Sequence, residues 1–258
     1  MKYYENCRLL SQREIFPGIF DMTLETEHIA ENARPGQFIM LYCNDGRKIL
    51  PRPISICGAD PDTGHLRLVY RVTGKGTGTE EFSRTPEGTV LRAEGPLGNG
   101  FDTDRSEKEN IMIVGGGVGI PPMLFTAGSL RSGKTIVLGF RSGTFLADEF
   151  EKYGRVYIST EDGSAGTKGN VLDVIKTLED RPDRIYACGP APMLRALSSW
   201  AEENGIPCYI SLEERMACGI GACLACVCRS AGTDPHTNVK NKRVCSDGPV
   251  FLSTEVLL

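Results

Sequence analysis

The stretch IMIVGGGVGIPPMLFTAGSLRSG, residues 111–133, decides the fold. Ile111 to Val114 form an unbroken apolar run, the pattern of a strand buried on both faces of a parallel sheet. Gly115, Gly116, Gly117 and Gly119 then turn the chain sharply, and Pro121 and Pro122 suit the first turn of a helix. A strand, a glycine turn and a helix in that order aim backbone N–H groups and a helix N-terminus at a phosphate. The spacing is G-x-G-x-G and departs from the G-x-G-x-x-G fingerprint, so a bare tight turn is the alternative reading.

Downstream, strands alternate with helices. TIVLGF (135–140), RVYIST (155–160), RIYACGP (184–190) and CYISLEE (208–214) read as strands. FLADEFEKYG (145–154), NVLDVIKTLED (170–180) and APMLRALSSWAEENG (191–205) read as helices, the last with Leu194, Leu197, Trp200 and Ala201 on one face. The alternation predicts a Rossmann-like parallel sheet over residues 103–212. Ligands of such sheets bind at the carboxyl ends of the strands. The glycine turn and Cys188–Gly189 stand there, which points to a nucleotide site with Cys188 walling a nicotinamide pocket. A small buried residue is the plainer reading of Cys188. No acidic residue closes the second strand, where Arg141 and Ser142 stand instead, so the choice between NAD and NADP stays open.

Upstream, residues 1–102 read as all-β, with a polar connector, FDTDRSEKEN (101–110), between the two parts. HLRLVYRV (65–72) places Leu66, Leu68, Tyr70 and Val72 on one face. QFIMLYC (37–43), RPISICG (52–58) and TVLRAEGP (89–96) are further short strands, and the set predicts an antiparallel sandwich or barrel. Within it Arg52 of RPIS is a candidate phosphate ligand and Ser55 a donor to a ring nitrogen. GKGT (74–77) offers backbone amides to a pyrophosphate. A surface ion pair for Arg52 and a hairpin turn for GKGT are the alternatives.

The tail, residues 213–258, has too few apolar residues for a large core of its own. It carries Cys218-x4-Cys223-x2-Cys226 and, 18 residues on, Cys245. This is the plant-type [2Fe–2S] spacing. Four thiolates supply soft sulfur ligation, and Gly219, Gly221, Ala222 and Ala225 let the backbone wrap closely with its amides turned to the sulfurs. A structural zinc site is the rival, although zinc sites more often pair two short knuckles. Cys228 falls off the spacing and reads as a packed neighbour, its rival reading being a ligand in place of Cys226. A Rieske centre needs a histidine pair, which His28, His65 and His236 do not make. Cys7, Cys43, Cys57, Cys188 and Cys208 are scattered singly and read as small buried hydrophobes.

Composition narrows the function. The net charge is −4 and no basic run stands out, so nucleic acid is not an expected partner. No stretch reaches ~18 apolar residues and the first residues hold no apolar signal core, which predicts a soluble cytoplasmic chain without membrane attachment.

The order Arg-Pro-x-Ser, GGGVGIPP, CGP and then the cysteine loop resembles the ferredoxin–NADP⁺ reductase superfamily. EERMACGIGACLACVC with VCSDGPVF is more closely similar to the electron-transfer subunits of class 1B dihydroorotate dehydrogenases. The resemblance implies an FAD-binding barrel, an NAD(H)-binding domain and a small cluster module. By position it implies that Arg52, Pro53, Ile54 and Ser55 contact FAD, that Val69, Tyr70 and Arg71 line the flavin, and that Gly76 and Thr77 meet its phosphates. It implies that Cys218, Cys223, Cys226 and Cys245 hold the irons. Ile54 stands where many members of the superfamily have a stacking tyrosine, which leaves Tyr70 to supply that ring. The implied partner is an FMN-containing dihydroorotate dehydrogenase catalytic subunit, two copies with two of this chain. The family's role is electron transfer between NAD(H) and that FMN in pyrimidine biosynthesis. A sulfide dehydrogenase or NADPH–ferredoxin oxidoreductase complex is the alternative, and a zinc-stapled scaffold the non-enzymatic one. No triad or carboxylate pair for turning over an organic substrate is present, so dihydroorotate is expected to react on another chain.

Overall fold

The structure is a computed structural model and describes residues 1–104, 109–131, 133–233 and 238–258. His236 and the middle of the connector, 105–108, lie outside the described residues.

The first part closes into a six-stranded antiparallel barrel in the order β1-β2-β5-β4-β3-β6. Its strands are β1 (Tyr3–Phe16), β2 (Ile19–Glu25), β3 (Phe38–Leu41), β4 (Arg52–Asp60), β5 (His65–Arg71) and β6 (Val90–Leu97), and β6 returns to β1. Short helices α1 (Ile29–Asn32) and α2 (Gly78–Ser83) sit in the connections. Alternation builds the core: Leu66, Leu68 and Tyr70 of β5 point inward and are buried. Val69, on the opposite face, is buried too, because the second part of the chain covers that side of the barrel. The sequence reading marks no strand at β1, the longest in the molecule. Most of β1 is at least partly exposed, and only Cys7 and Leu9 are fully buried, so its polar residues hide the period.

The second part is a parallel sheet with helices on its faces. It contains β7 (Ile111–Gly116), β8 (Lys134–Phe140), β9 (Arg155–Thr160), β10 (Thr167–Lys168), β11 (Arg184–Cys188) and β12 (Cys208–Ser211). The helices are α3 (Ile120–Ser129), α4 (Ala147–Phe150), α5 (Val171–Ile175) and α6 (Ala191–Glu203). The tail adds a hairpin, β13 (Val227–Arg229) with β14 (Asn241–Arg243), and then β15 (Val250–Leu252). β15 pairs antiparallel with β12, so the tail supplies the last strand of the sheet order β10-β9-β8-β7-β11-β12-β15. Cys226, Val244 and Cys245 share one buried cluster with Met40 and Leu97 of the barrel and Met112 and Val114 of the sheet. The tail therefore borrows a core.

Two expected helices are shorter than the sequence suggests. The segment 145–154 keeps only α4. Phe145 is buried against Phe16 and Phe140, and Leu146 takes a left-handed conformation, φ 60°, so the helix starts after them. The segment 170–180 keeps α5, opened by a capping box between Asn170 and Asp173. No helix among the described residues is long and apolar enough to cross a membrane.

A charged clamp joins barrel and sheet. The Arg67 guanidinium of β5 donates to both oxygens of Asp21 at 2.9 and 2.8 Å, and to both oxygens of Glu149 in α4 at 2.6 and 2.8 Å. Asp21 is nearly buried. Arg67→Met is expected to destabilise the chain by about 2–3 kcal/mol, because Asp21 is left buried with only the more distant Arg13 at 3.6 Å. The Arg67 hydrogen bonds hold the Glu149 carboxyl below its ordinary range. A depressed carboxylate stabilises above its unfolded pKa and loses that contribution as pH falls through its folded one. Urea unfolding across the acid range should therefore show a shallower acid decline in the variant than in the native chain.

Candidate functional site

One open cleft of about 900 Å³ runs between the barrel and the sheet. Arg52, Pro53, Ile54 and Ser55 of β4 line it, as do Val69, Tyr70 and Arg71 of β5. Seven of the expected flavin residues thus share one wall. Gly76 and Thr77 do not line the cleft; Thr73 and Thr79 do, on either side of them. Thr77 caps α2, accepting from the Glu80 N–H at 3.3 Å, and its hydroxyl donates to the Gly74 carbonyl at 2.7 Å. Thr73 and Thr79 hydroxyls meet at 3.0 Å and tie the two sides of the turn together.

Arg52 brings the two barrel motifs into contact. A Cβ on Gly78 would sit 2.6 Å from the Arg52 Nε, so the guanidinium lies flat against the start of α2. It donates to the Leu50 and Pro51 carbonyls and, among the described residues, has no carboxylate partner. The surface ion pair is not formed.

Tyr70 does not offer its ring as a stacking face. It is 3% exposed, lies near-parallel to Phe20 at 6.0 Å, meets Phe82 edge-on, and donates its hydroxyl to the Gln12 side chain at 2.8 Å. The inward position that makes Tyr70 a core residue is the same one that denies it the stacking role.

The glycine turn lies across the cleft, where Val118 lines the wall. Its glycines serve close packing first. A Cβ on Gly119 would lie 2.4 Å from the backbone C and O of Cys188. On Gly115 it would press on Ile120 at 3.0 Å, and on Gly116 or Gly189 it would strike Met193 at 2.5 or 2.4 Å. Gly117 differs: its φ is +54°, and the nearest atom to an added Cβ is the Arg71 Nη2 at 3.8 Å. Gly117 is the one position of the five where an added Cβ would make only an ordinary van der Waals contact.

Cys188 ends β11, in register with Gly115 on one side and Ser211 on the other, and is 1% exposed. Burial pushes its thiol well up, Glu213 adds to this, and a hydrogen bond with Ser211 pulls back weakly. The thiol stays protonated and buried, so Cys188 is no nucleophile, and it does not itself line the cleft.

The sequence reading passes over the far wall, Ser211 to Met216. Glu213 stands there, enclosed by protein on most sides yet open to the cleft. Its surroundings raise its carboxyl, and Arg71 opposes the shift. The signal was present: Glu213 stands two residues past the carboxyl end of β12, the same rule that singles out CGP.

The cysteine loop seats on the barrel. Gly219, φ +69°, leaves room for no side chain, since a Cβ would lie 2.6 Å from Met40 and 3.1 Å from Leu97. The sulfurs gather in two pairs. The Cys223 N–H donates to the Cys218 Sγ at 3.4 Å, and the Cys245 N–H donates to the Cys226 Sγ at 3.4 Å. Burial raises the Cys218 thiol, but the amides of Cys223, Ile220 and Ala222 outweigh it and bring it down to about 6. Cys245 is pushed up to about 12 by burial and by the neighbouring Cys226 sulfur. Cys226 and Cys245 are buried, Cys218 is half-buried and Cys223 is exposed. Cys228 sits in the β13–β14 hairpin opposite Lys242 and belongs to neither pair. Among the described residues no three ligating side chains gather round a single ion position. Two pairs fit two irons with two thiolates each, better than one tetrahedral ion.

Comparison with known proteins adds to this geometry. Residues 6–101 match the oxidoreductase FAD-binding domain, and residues 213–257 match the iron-sulfur cluster binding domain of dihydroorotate dehydrogenase B. The chain is 42% identical, over the full length of both, to the dihydroorotate dehydrogenase B (NAD(+)) electron transfer subunit of Caldanaerobacter subterraneus subsp. tengcongensis. It is 43% identical to the protein of the same name from Listeria welshimeri, covering 97% of this chain and 98% of that one. Among solved structures, a chain of the NADH-dependent reduced ferredoxin–NADP oxidoreductase superposes with a TM-score of 0.87 at 30% identity, over 97% of this chain and 89% of that one. The ferredoxin reductase of carbazole 1,9a-dioxygenase shares the fold, with a TM-score of 0.69 at 19% identity, over 80% and 67% of the two chains.

Proposed function

We propose a function from one premise: this chain belongs to the family of dihydroorotate dehydrogenase B (NAD(+)) electron transfer subunits. It passes electrons between NAD(H) and a dihydroorotate dehydrogenase catalytic subunit, in pyrimidine biosynthesis, with FAD and a [2Fe–2S] cluster as its own carriers. Dihydroorotate is oxidised on the partner. We read that partner as an FMN-containing subunit, assembled two and two with this chain, and the complex as cytoplasmic.

When bound, the flavin takes paired electrons from nicotinamide and the cluster takes them singly. The chain's own residues set the order. On this reading Ser55, Val69 and Arg71 orient the ring, and Arg52 with the GKGT turn, Gly76 and Thr77 included, takes the phosphates. Gly117, Val118, Cys188 and Gly189 border the nicotinamide side, where the packed glycines Gly115, Gly116 and Gly119 hold α3 tight to the sheet. Cys218, Cys223, Cys226 and Cys245 hold the cluster; their arrangement in two pairs supports this. Buried Cys226 and Cys245 exclude water, while Cys218 and Cys223 face outward, where a partner can approach.

One observation carries the reading. The segment Ser211–Met216 lines the cleft, and Cys218 follows two residues later. Two residues span at most about 7 Å, so the flavin wall and the first cluster ligand are nearly contiguous.

The isolated chain, reconstituted anaerobically, is expected to reduce an artificial acceptor with NADH and to leave dihydroorotate untouched until the catalytic subunit is added. Oxidation of dihydroorotate by this chain alone would overturn the assignment. The likeness to the ferredoxin–NADP oxidoreductase chain supports a second reading, a reductase subunit of another complex. The protein that co-purifies with this chain separates the two.

A further inference from the structure

Beside the cysteine loop lies an ion pair that folding alone gives little reason for. Arg243 ends β14, in register with Val227, the residue after Cys226, and stands two residues before Cys245. Its guanidinium donates to both oxygens of Asp247, from Nη2 at 2.9 Å and from Nε at 3.3 Å, and the same carboxylate accepts the Arg243 backbone N–H at 2.7 Å. The pair therefore brackets Cys245. Its side chains are 43% and 30% exposed, and a pair so open to water adds little to stability. Its position says more than its strength.

The third nitrogen of the guanidinium reaches the other half of the ligand set. Nη1 donates to the Gly221 carbonyl at 3.3 Å, in the loop between Cys218 and Cys223. That carbonyl and the Ala222 N–H belong to one planar peptide unit and point opposite ways. The Ala222 N–H faces the Cys218 sulfur, as do those of Ile220 and Cys223, and the Gly221 N–H faces the Cys245 sulfur. Gly221, φ +87°, makes the bend that turns these amides inward, and an added Cβ would lie 2.8 Å from the Ser246 Oγ. A run of amides turned one way is an anion cradle. Arg243 thus holds from behind the segment whose amides serve sulfurs of both pairs. The far side is anchored too: the Asn99 side chain of the barrel donates to the Ser246 and Asp247 carbonyls, each at 3.1 Å.

We infer that Arg243 is a positioning residue for the cluster: by gripping Gly221 and Asp247 together it keeps the amides of residues 220–223 on the sulfurs and raises the cluster's reduction potential. The inference rests on the cluster reading above. The physical reason is charge. The reduced cluster carries one more negative charge than the oxidised one, and N–H donors to its sulfurs favour that state. A cation on the carbonyl end of a peptide polarises the unit and strengthens donation from its N–H end. The guanidinium fork meets a carboxylate and a carbonyl at once, a planar geometry that an ammonium does not reproduce.

The test uses the full chain reconstituted with iron and sulfide, its cluster titrated at set potentials and followed by paramagnetic resonance. In Arg243→Met the ratio of reduced to oxidised cluster at a fixed potential is expected to fall about tenfold, a midpoint lower by about 59 mV for one electron. Arg243→Lys keeps the charge and loses the fork, and its midpoint should fall likewise. Bound FAD, held on the barrel, shows that each variant is folded. A methionine variant at the native midpoint would overturn the inference. So would a lysine variant at the native midpoint, because charge alone would then suffice. Should Arg243→Met hold FAD but no cluster, the lysine midpoint decides. A native chain that takes up FAD but no cluster would instead defeat the cluster reading itself.

Discussion

Cys245→Ser is expected to remove the iron–sulfur absorption and to stop electron delivery to the catalytic subunit, while NADH-dependent reduction of a small artificial acceptor continues. Cys245 is buried, its N–H bonds the Cys226 sulfur, and the Val244 N–H donates to the Cys226 carbonyl at 3.0 Å. Backbone and sulfur are therefore fixed together, and no other cysteine can move in. Loss of an outer-sphere partner alone costs a metal site about 10–100-fold in affinity. Loss of a ligand from a rigid pair should cost more, and the cluster should not assemble. Iron and sulfide analysis with paramagnetic resonance after reduction reads the result. Cys228→Ser is the control: it lies outside both pairs and should keep full cluster content. Retention in the Cys245 variant with loss in the Cys228 variant would reverse the ligand assignment.

Gly119→Ala should cost about 3 kcal/mol, at the upper end of the range for overpacking. For a chain of this size that lowers the melting temperature by about 10 °C. The added methyl would lie 2.4 Å from two backbone atoms of Cys188 and 2.5 Å from the Gly189 nitrogen. Backbone in a central strand cannot step aside as a side-chain tip can, so α3 must lift from β11. Gly117→Ala meets no clash, only an ordinary contact with Arg71, and carries the left-handed φ, a cost of about 1–2 kcal/mol. Its larger effect should fall on NADH affinity, since Gly117 faces the cleft side near Arg71. Thermal melts and NADH titrations of both variants separate the two roles. If both lose NADH affinity equally and neither loses stability, the glycines serve ligand approach alone and the packing account fails.

The part of this protein legible in its sequence is the part written over short spans. The alternation in HLRLVYRV, the apolar run into GGGVG and the Cys-x4-Cys-x2-Cys loop each fix a local geometry, because side-chain direction in a strand, the tightness of a turn and the reach of a loop depend on neighbours a few residues away. Barrel, parallel sheet and cluster loop follow from these, and the matched families agree with them. β1 escaped because its partners, β2 and β6, bury only two of its side chains fully.

Tertiary structure alone decided what depends on residues far apart in the chain. It turned Tyr70 into the barrel toward Gln12 and Phe82, and so removed it as a stacking ring. It brought Glu213 opposite Arg71 across one cleft, clamped Asp21 and Glu149 to one arginine, and sorted four sulfurs into two pairs. The physical reason is that spacing along a chain sets which way a side chain leaves the backbone, whereas what it meets there is set by strands and loops that packing brings in from elsewhere.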